Sequence, residues 1–249
     1  MASDRTRYSG RYHSGELDVV ITAPGADTEN TELAVVAHGT AADASFFLNP
    51  GNYTDLEAVA ARGITVVAAD LGNPLLPDGW GNDTSIARLT EVISWAGSFL
   101  GCTTTRVGLI GDSAGAATVL GWAWRNPSQV GAVSVRGAVT DIQQLYAINS
   151  LVETLVNNAY GGAAAWTAAR ATHDPILNTA SLVTLKDRIR VYYSDGDTLV
   201  VPASQVTPFT TAVGCRAVPV GGAGVDHGAV VANLQGRDQA QWIAGLLAA

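Results

Sequence analysis

The chain has 249 residues, 47% hydrophobic and only 14% charged, a core-forming composition that excludes a disordered protein and a length that suits one α/β domain or two small ones. Its net charge of −8 comes with no basic stripe, which argues against nucleic acid or an anionic membrane as a partner. No apolar run is long enough to insert across a bilayer, and the opening MASDRTRYSGRYHSGELD lacks the apolar stretch of a secretory signal. A cytoplasmic location is therefore the default expectation, with export by another route left open.

Along the chain, short β-branched runs alternate with amphipathic stretches. Strands are expected at Leu17–Thr22 and Leu33–Ala37, then a helix at Asp55–Ala61 and a strand at Thr65–Ala69. Thr84–Leu100 carries Ile86, Leu89, Val92, Ile93, Ala96 and Leu100 at helical spacing, with Asp83 as the expected N-cap and Gly101 as the stop. A strand at Val107–Ile110 and a helix at Ala114–Arg125, closed by Pro127, follow. Next come a strand at Ala132–Val135, helices at Ile142–Asn157 and Ala163–Thr172, strands at Ile189–Tyr193 and Arg216–Val220, and a helix at Asp238–Leu247. This order predicts a mainly parallel central sheet with helices on both faces. Several strands are almost wholly apolar, as strands covered on both faces must be.

One interval breaks the alternation. The segment between the strands at Ala132 and Ile189 is far longer than a crossover needs and is largely helical, so a cap insertion is expected at about 141–180 within a single domain spanning 1–249. Its Tyr146, Leu151, Leu155, Tyr160 and Trp166 suit either a pocket lining or packing of the cap onto the body, the latter being expected for most of them. Cys102 and Cys215 have neither metal-like nor redox-like spacing and read as small buried hydrophobes, with pairing left open. No His, Cys, Asp and Glu cluster has metal-ligand spacing and no phosphate-cradling glycine loop occurs, so neither a metal nor a cofactor is expected.

The most informative stretch is VGLIGDSAGAATVLGWAW. Gly111-Asp112-Ser113-Ala114-Gly115 is a G-x-S-x-G at the junction of an apolar strand and a long helix. Such a sharp turn needs small residues around the serine, lifts the hydroxyl above the strand end, and puts the Ala114 amide at a helix N-terminus where developing negative charge is favoured. The five-residue pattern alone is weak in a Gly-rich chain; the strand before it and the helix after it make it specific.

On these residues the chain resembles the α/β-hydrolase superfamily, on its esterase, lipase and peptidase side, from about Leu17 to the C-terminal helix. The resemblance implies the α/β-hydrolase fold and a chain order of serine, acid, histidine. His227, in GGAGVDHGAVV after the last strand, matches the family's base. His173 competes with it, while His13 and His38 precede the serine. In RVYYSDGDTLVVPASQ, Asp197 matches the family's acid, followed by Leu199, Val200 and Pro202; Asp195 is its close rival and Asp226 a weaker one. The implied catalytic set is Ser113, Asp197 and His227.

The family's second oxyanion donor lies after an early strand. Here LAVVAHGTAADASF offers the amide of Thr40, with Ala41 as the alternative, alongside Ala114; His38 is expected to be a buried histidine that bonds the loop backbone. In LGNPLLPDGWGNDTS, Trp80 is expected either to line the pocket or to pin its loop, and Asp70 to brace that loop; Tyr146 is the other candidate substrate-binding residue. The activity implied is a serine esterase acting through an acyl-enzyme on a small-molecule or polymeric ester. Alternatives within the resemblance are a serine peptidase, an acyltransferase, an esterase of a phage particle or of cell-surface polymers, and a catalytically inactive binding module.

Overall fold

The structure, a computed structural model, describes residues 6–13, 16–23, 27–40, 42–48, 54–71, 79–221, 224–232 and 236–249. Eight strands form one sheet: β1 (Arg7–His13), β2 (Glu16–Thr22), β3 (Glu32–Ala37), β4 (Thr65–Ala69), β5 (Thr103–Asp112), β6 (Val130–Arg136), β7 (Ile189–Tyr193) and β8 (Arg216–Pro219). Their spatial order is β1-β2-β4-β3-β5-β6-β7-β8, with β2 antiparallel to both its neighbours and every pair from β4 to β8 parallel. The strand β1 is absent from the sequence reading. RYSGRYH has no apolar alternation, and it holds its place by pairing with β2 as an edge hairpin.

The helices are α1 (Thr54–Ala60), α2 (Asp83–Leu100), α3 (Gly115–Arg125), α4 (Ile142–Ile148), α5 (Ser150–Tyr160), α6 (Ala163–His173), α7 (Thr179–Leu182), α8 (Val206–Val213), α9 (His227–Ala232) and α10 (Gly236–Leu247). Period-2 alternation of the strands feeds two cores. Leu33, Val35, Val107, Leu109, Val133 and Val135 face α2, α3 and α8. Ala34, Val36, Val66, Ala68, Ile110 and Ala132 face α1 and α10.

Two helix boundaries depart from expectation. The cap of α2 is Asn82, whose side chain accepts from the Ser85 amide, and Asp83 is the first helical residue. An Asn side chain here also donates to the Ala159 carbonyl, tying the helix start to α5. The expected Ile142–Asn157 helix is broken at Asn149, which leaves the helical region (φ −134°, ψ 107°) and caps α5 by accepting from the Leu151 and Val152 amides. Helical periodicity runs through this break because α4 and α5 bury their apolar faces in one shared cluster with Trp80, Val139 and Trp166. Helices α8 and α9 also lie outside the sequence reading. Cys102 and Cys215 are both free thiols, and burial pushes Cys215 up to about 12.

The helices between β6 and β7 are anchored by polar groups. Buried Asp174 accepts from the amides of Ile142 and Gln143 at the start of α4 and from Arg170. Gln205 accepts from the Thr140 and Asp141 amides and donates to the Asp141 carbonyl. Burial pushes the Asp174 carboxyl up to about 6, against the pull of those amides and of Arg170. A carboxyl whose folded value lies above its ordinary 3.8 contributes stability that is fully present below about pH 4 and is lost as pH rises through about 6. Urea unfolding at steps between these values is therefore expected to show the parent protein losing stability relative to Asp174→Asn; parallel pH curves for the two proteins would count against this assignment.

Candidate active site

The connections leaving the C-terminal ends of β3, β5, β7 and β8 carry the candidate residues. The chain moves from β3 to β4 on one side and returns across β3 to β5 on the other, so a crevice opens above the β3/β5 pair, the usual ligand position in such sheets.

Ser113 directly follows β5 with φ +52°, a left-handed conformation that a non-glycine residue adopts only under constraint. The turn is fixed on both sides: the Ser113 amide donates to the Arg136 carbonyl at 2.9 Å and the Val139 amide to the Ser113 carbonyl at 3.1 Å. Glycine is required next to it. A Cβ on Gly115 would stand 2.3 Å from the Ala37 carbonyl oxygen, and one on Gly111 would stand 2.5 Å from Val119.

Around this turn the structure brings together Ser113, Asp197 and His227. His227 Nε2 lies 3.0 Å from Ser113 Oγ, and His227 Nδ1 lies 2.7 Å from Asp197 Oδ2. The other oxygen, Asp197 Oδ1, accepts from the amides of Leu199 and Val200 at 3.0 and 2.8 Å. The imidazole thus stands between the hydroxyl and the carboxyl group, with one ring nitrogen within hydrogen-bond distance of each. The ring packs on Gly137, where a Cβ would stand 2.9 Å from His227 Cε1.

The rivals have other places. Asp195 is exposed, and Asp226 accepts from the Ala229 amide at the start of α9. His173 faces Asp83 and the Ala169 carbonyl. His38 is buried, with Nε2 accepting from the Leu71 amide and Nδ1 beside the Gly39 carbonyl.

Gly39 brings the β3 exit against the serine, since a Cβ there would stand 3.0 Å from Ser113 Cβ. Thr40 lines the cavity above Ser113, and Ala114 stands at the start of α3. Among the described residues, neither the Thr40 nor the Ala114 amide has an acceptor within the protein. Ala41 lies outside the described residues.

The cavity has a volume of about 490 Å³. Trp80 is in its wall, buried and with φ +54°, and its carbonyl accepts from the Tyr160 hydroxyl, so it both lines the pocket and is pinned. Tyr146 is not among the lining residues. Its hydroxyl donates to Asn157, and its ring lies 6.5 Å from that of Trp166. Of the other inserted residues named from the sequence, Leu151 and Leu155 line the cavity, whereas Tyr160 and Trp166 pack behind it. Of the loop named at residues 71–85, residues 72–78 lie outside the described residues. Asp70 stands 3.8 Å from His38, and its amide donates to Asp18.

Sequence reasoning missed an ionic group under the serine. Arg136, at the end of β6, donates through Nε and Nη2 to both oxygens of Asp112 at 2.6 and 2.7 Å and through Nη1 to Asp55 of α1. All three side chains are only 1% exposed. Burial by itself favours the neutral form of Asp112, and the bidentate guanidinium opposes it. The one available signal was an arginine ending an apolar strand, which has no partner until β5, β6 and α1 are assembled.

No protein-family model matches the chain, and no curated protein matches its sequence. Solved structures do match. FphF, a fluorophosphonate-binding serine hydrolase of Staphylococcus aureus, is 13% identical with a TM-score of 0.72 over 96% of this chain and 98% of its own. An S-formylglutathione hydrolase from Agrobacterium tumefaciens is 14% identical, with a TM-score of 0.71 over 96% and 94%. A fungal esterase from Rhizomucor miehei is 16% identical, with a TM-score of 0.66 over 98% and 83%. At such identities the likeness shows the fold, and the chain has the α/β-hydrolase fold.

Arg136→Leu removes the partner of two buried carboxylates, so it is expected to destabilise the protein by about 3–5 kcal/mol in urea unfolding. A loss under about 1 kcal/mol would mean that the cluster carries little of the stability.

Proposed function

We propose that the protein is a serine esterase in which Ser113, His227 and Asp197 act as nucleophile, base and orienting acid. One observation carries the reading: a continuous hydrogen-bonded chain from a strained, cavity-facing hydroxyl through an imidazole to a buried carboxylate. A serine hydroxyl is a weak nucleophile until a neighbouring base takes its proton. A buried carboxylate fixed by two amides is suited to hold that base in one tautomer and to stabilise its cation.

In the reaction, His227 Nε2 takes the Ser113 proton as Oγ bonds to the ester carbonyl carbon. The carbonyl oxygen becomes an oxyanion held by the amides of Thr40 and Ala114. Collapse breaks the carbon–alcohol oxygen bond, and His227 returns its proton to the leaving alcohol. Water then attacks the acyl-enzyme in the same way and releases the acid and free Ser113.

Treatment with a fluorophosphonate, followed by mass spectrometry, is expected to label Ser113, with no label in Ser113→Ala and strong suppression in His227→Ala. On p-nitrophenyl acetate, Ser113→Ala and Asp197→Asn are expected to lose on the order of 10⁴-fold in kcat. A folded parent protein that neither labels nor hydrolyses the ester would overturn the reading.

A further inference from the structure

We propose that the wall built by α4 and α5 is an acyl-chain site and that the substrate class is an uncharged ester of a medium-chain aliphatic acid. This inference rests on the esterase reading above. The wall consists of Val139, Leu145, Val152 and Leu155, joined by Val200 from the loop after β7. Each of the five is at most 6% exposed, and Trp166, Val156 and Ala159 pack in the same cluster. That packing makes the wall a fixed surface.

The charge of the lining decides the substrate class. Among the described residues it holds no lysine or arginine to meet a carboxylate or phosphate. Its acid, Asp112, is occupied by Arg136, and its His227 by Asp197 and Ser113. A charged substrate would lose its hydration there with no free opposite charge among the described lining residues to replace it, whereas an alkyl chain gains from leaving water. The mouth continues the apolar path: Leu151 and Leu199 line the cavity and are 63% and 47% exposed.

The chemistry of the reaction separates the two halves of an ester. The departing alcohol must take its proton from His227 Nε2, so the strip formed by His227, Gly228 and Val231 receives the alcohol. The wall contributed by α4 and α5 is left for the acyl chain.

The test is kcat/KM on p-nitrophenyl esters from acetate to laurate, with a matched series of acetate esters of lengthening alcohols. On the acyl series, kcat/KM is expected to rise about fourfold per methylene, the equivalent of ~0.8 kcal/mol for a buried CH₂, to an optimum between butanoate and decanoate. Leu155→Trp should lower the decanoate-to-acetate ratio at least tenfold, and Leu155→Ala should move the optimum to a longer chain. Fluorophosphonate labelling of Ser113 in each variant shows that the serine is intact. A flat or falling acyl series, a gain confined to the alcohol series, or ratios unmoved by both Leu155 variants in a protein that still labels would overturn the acyl site and leave the esterase reading standing. A parent protein with no labelling and no hydrolysis would overturn both.

Discussion

The left-handed turn at Ser113 is the constraint around which the rest is arranged. A non-glycine residue at positive φ costs about 1–3 kcal/mol, and it persists only where its surroundings admit no alternative. Here β6 fixes the serine amide, the Val139 amide fixes its carbonyl, and α3 starts so close to the end of β3 that only glycine fits at 115. The same close approach brings the Gly39-Thr40 loop to the serine. The candidate nucleophile and both candidate oxyanion donors therefore follow from one backbone crossing.

The ionic cluster of Asp55, Arg136 and Asp112 lies next to this turn in the chain and in space. It joins α1, β5 and β6, and Asp112 immediately precedes Ser113. Three charged groups out of water are costly unless their geometry is good, and the bidentate contact to Asp112 supplies that geometry. Among the described residues Asp55 Oδ1 has no hydrogen-bond partner, so within them the cluster is not fully satisfied. Its bonds fix the relative placement of its three elements. The placement it fixes is that of the strand end from which the serine projects.

The helices between β6 and β7 solve a different problem. They must present an apolar wall to a cavity and still be held to the body. Polar anchors at their ends do the holding: Asp174 and Gln205 at the start of α4, Asn82 at the end of α5. Their middles are thereby left free to pack Leu145, Val152 and Leu155 between Trp166 and the cavity. The break at Asn149 lets α5 turn away from α4, which a continuous helix could not do.

The sequence by itself determined most of the sheet, because strands covered on both faces must be apolar and their runs stand out between helical periods. It also singled out Ser113, because a sharp strand-to-helix turn tolerates only small neighbours, and this leaves a local mark. Asp197 and His227 were chosen on resemblance alone, since neither residue's surroundings contain a pattern that physics requires. Only the tertiary structure decided what depends on distant segments meeting. It buried Asp197 and exposed Asp195, two residues that strand parity treats alike. It bonded Tyr146 to Asn157, paired Arg136 with residues 24 and 81 positions distant, and split one helical period into α4 and α5. In each case the deciding energy is long-range packing or charge pairing, which leaves no periodicity in the chain to be read.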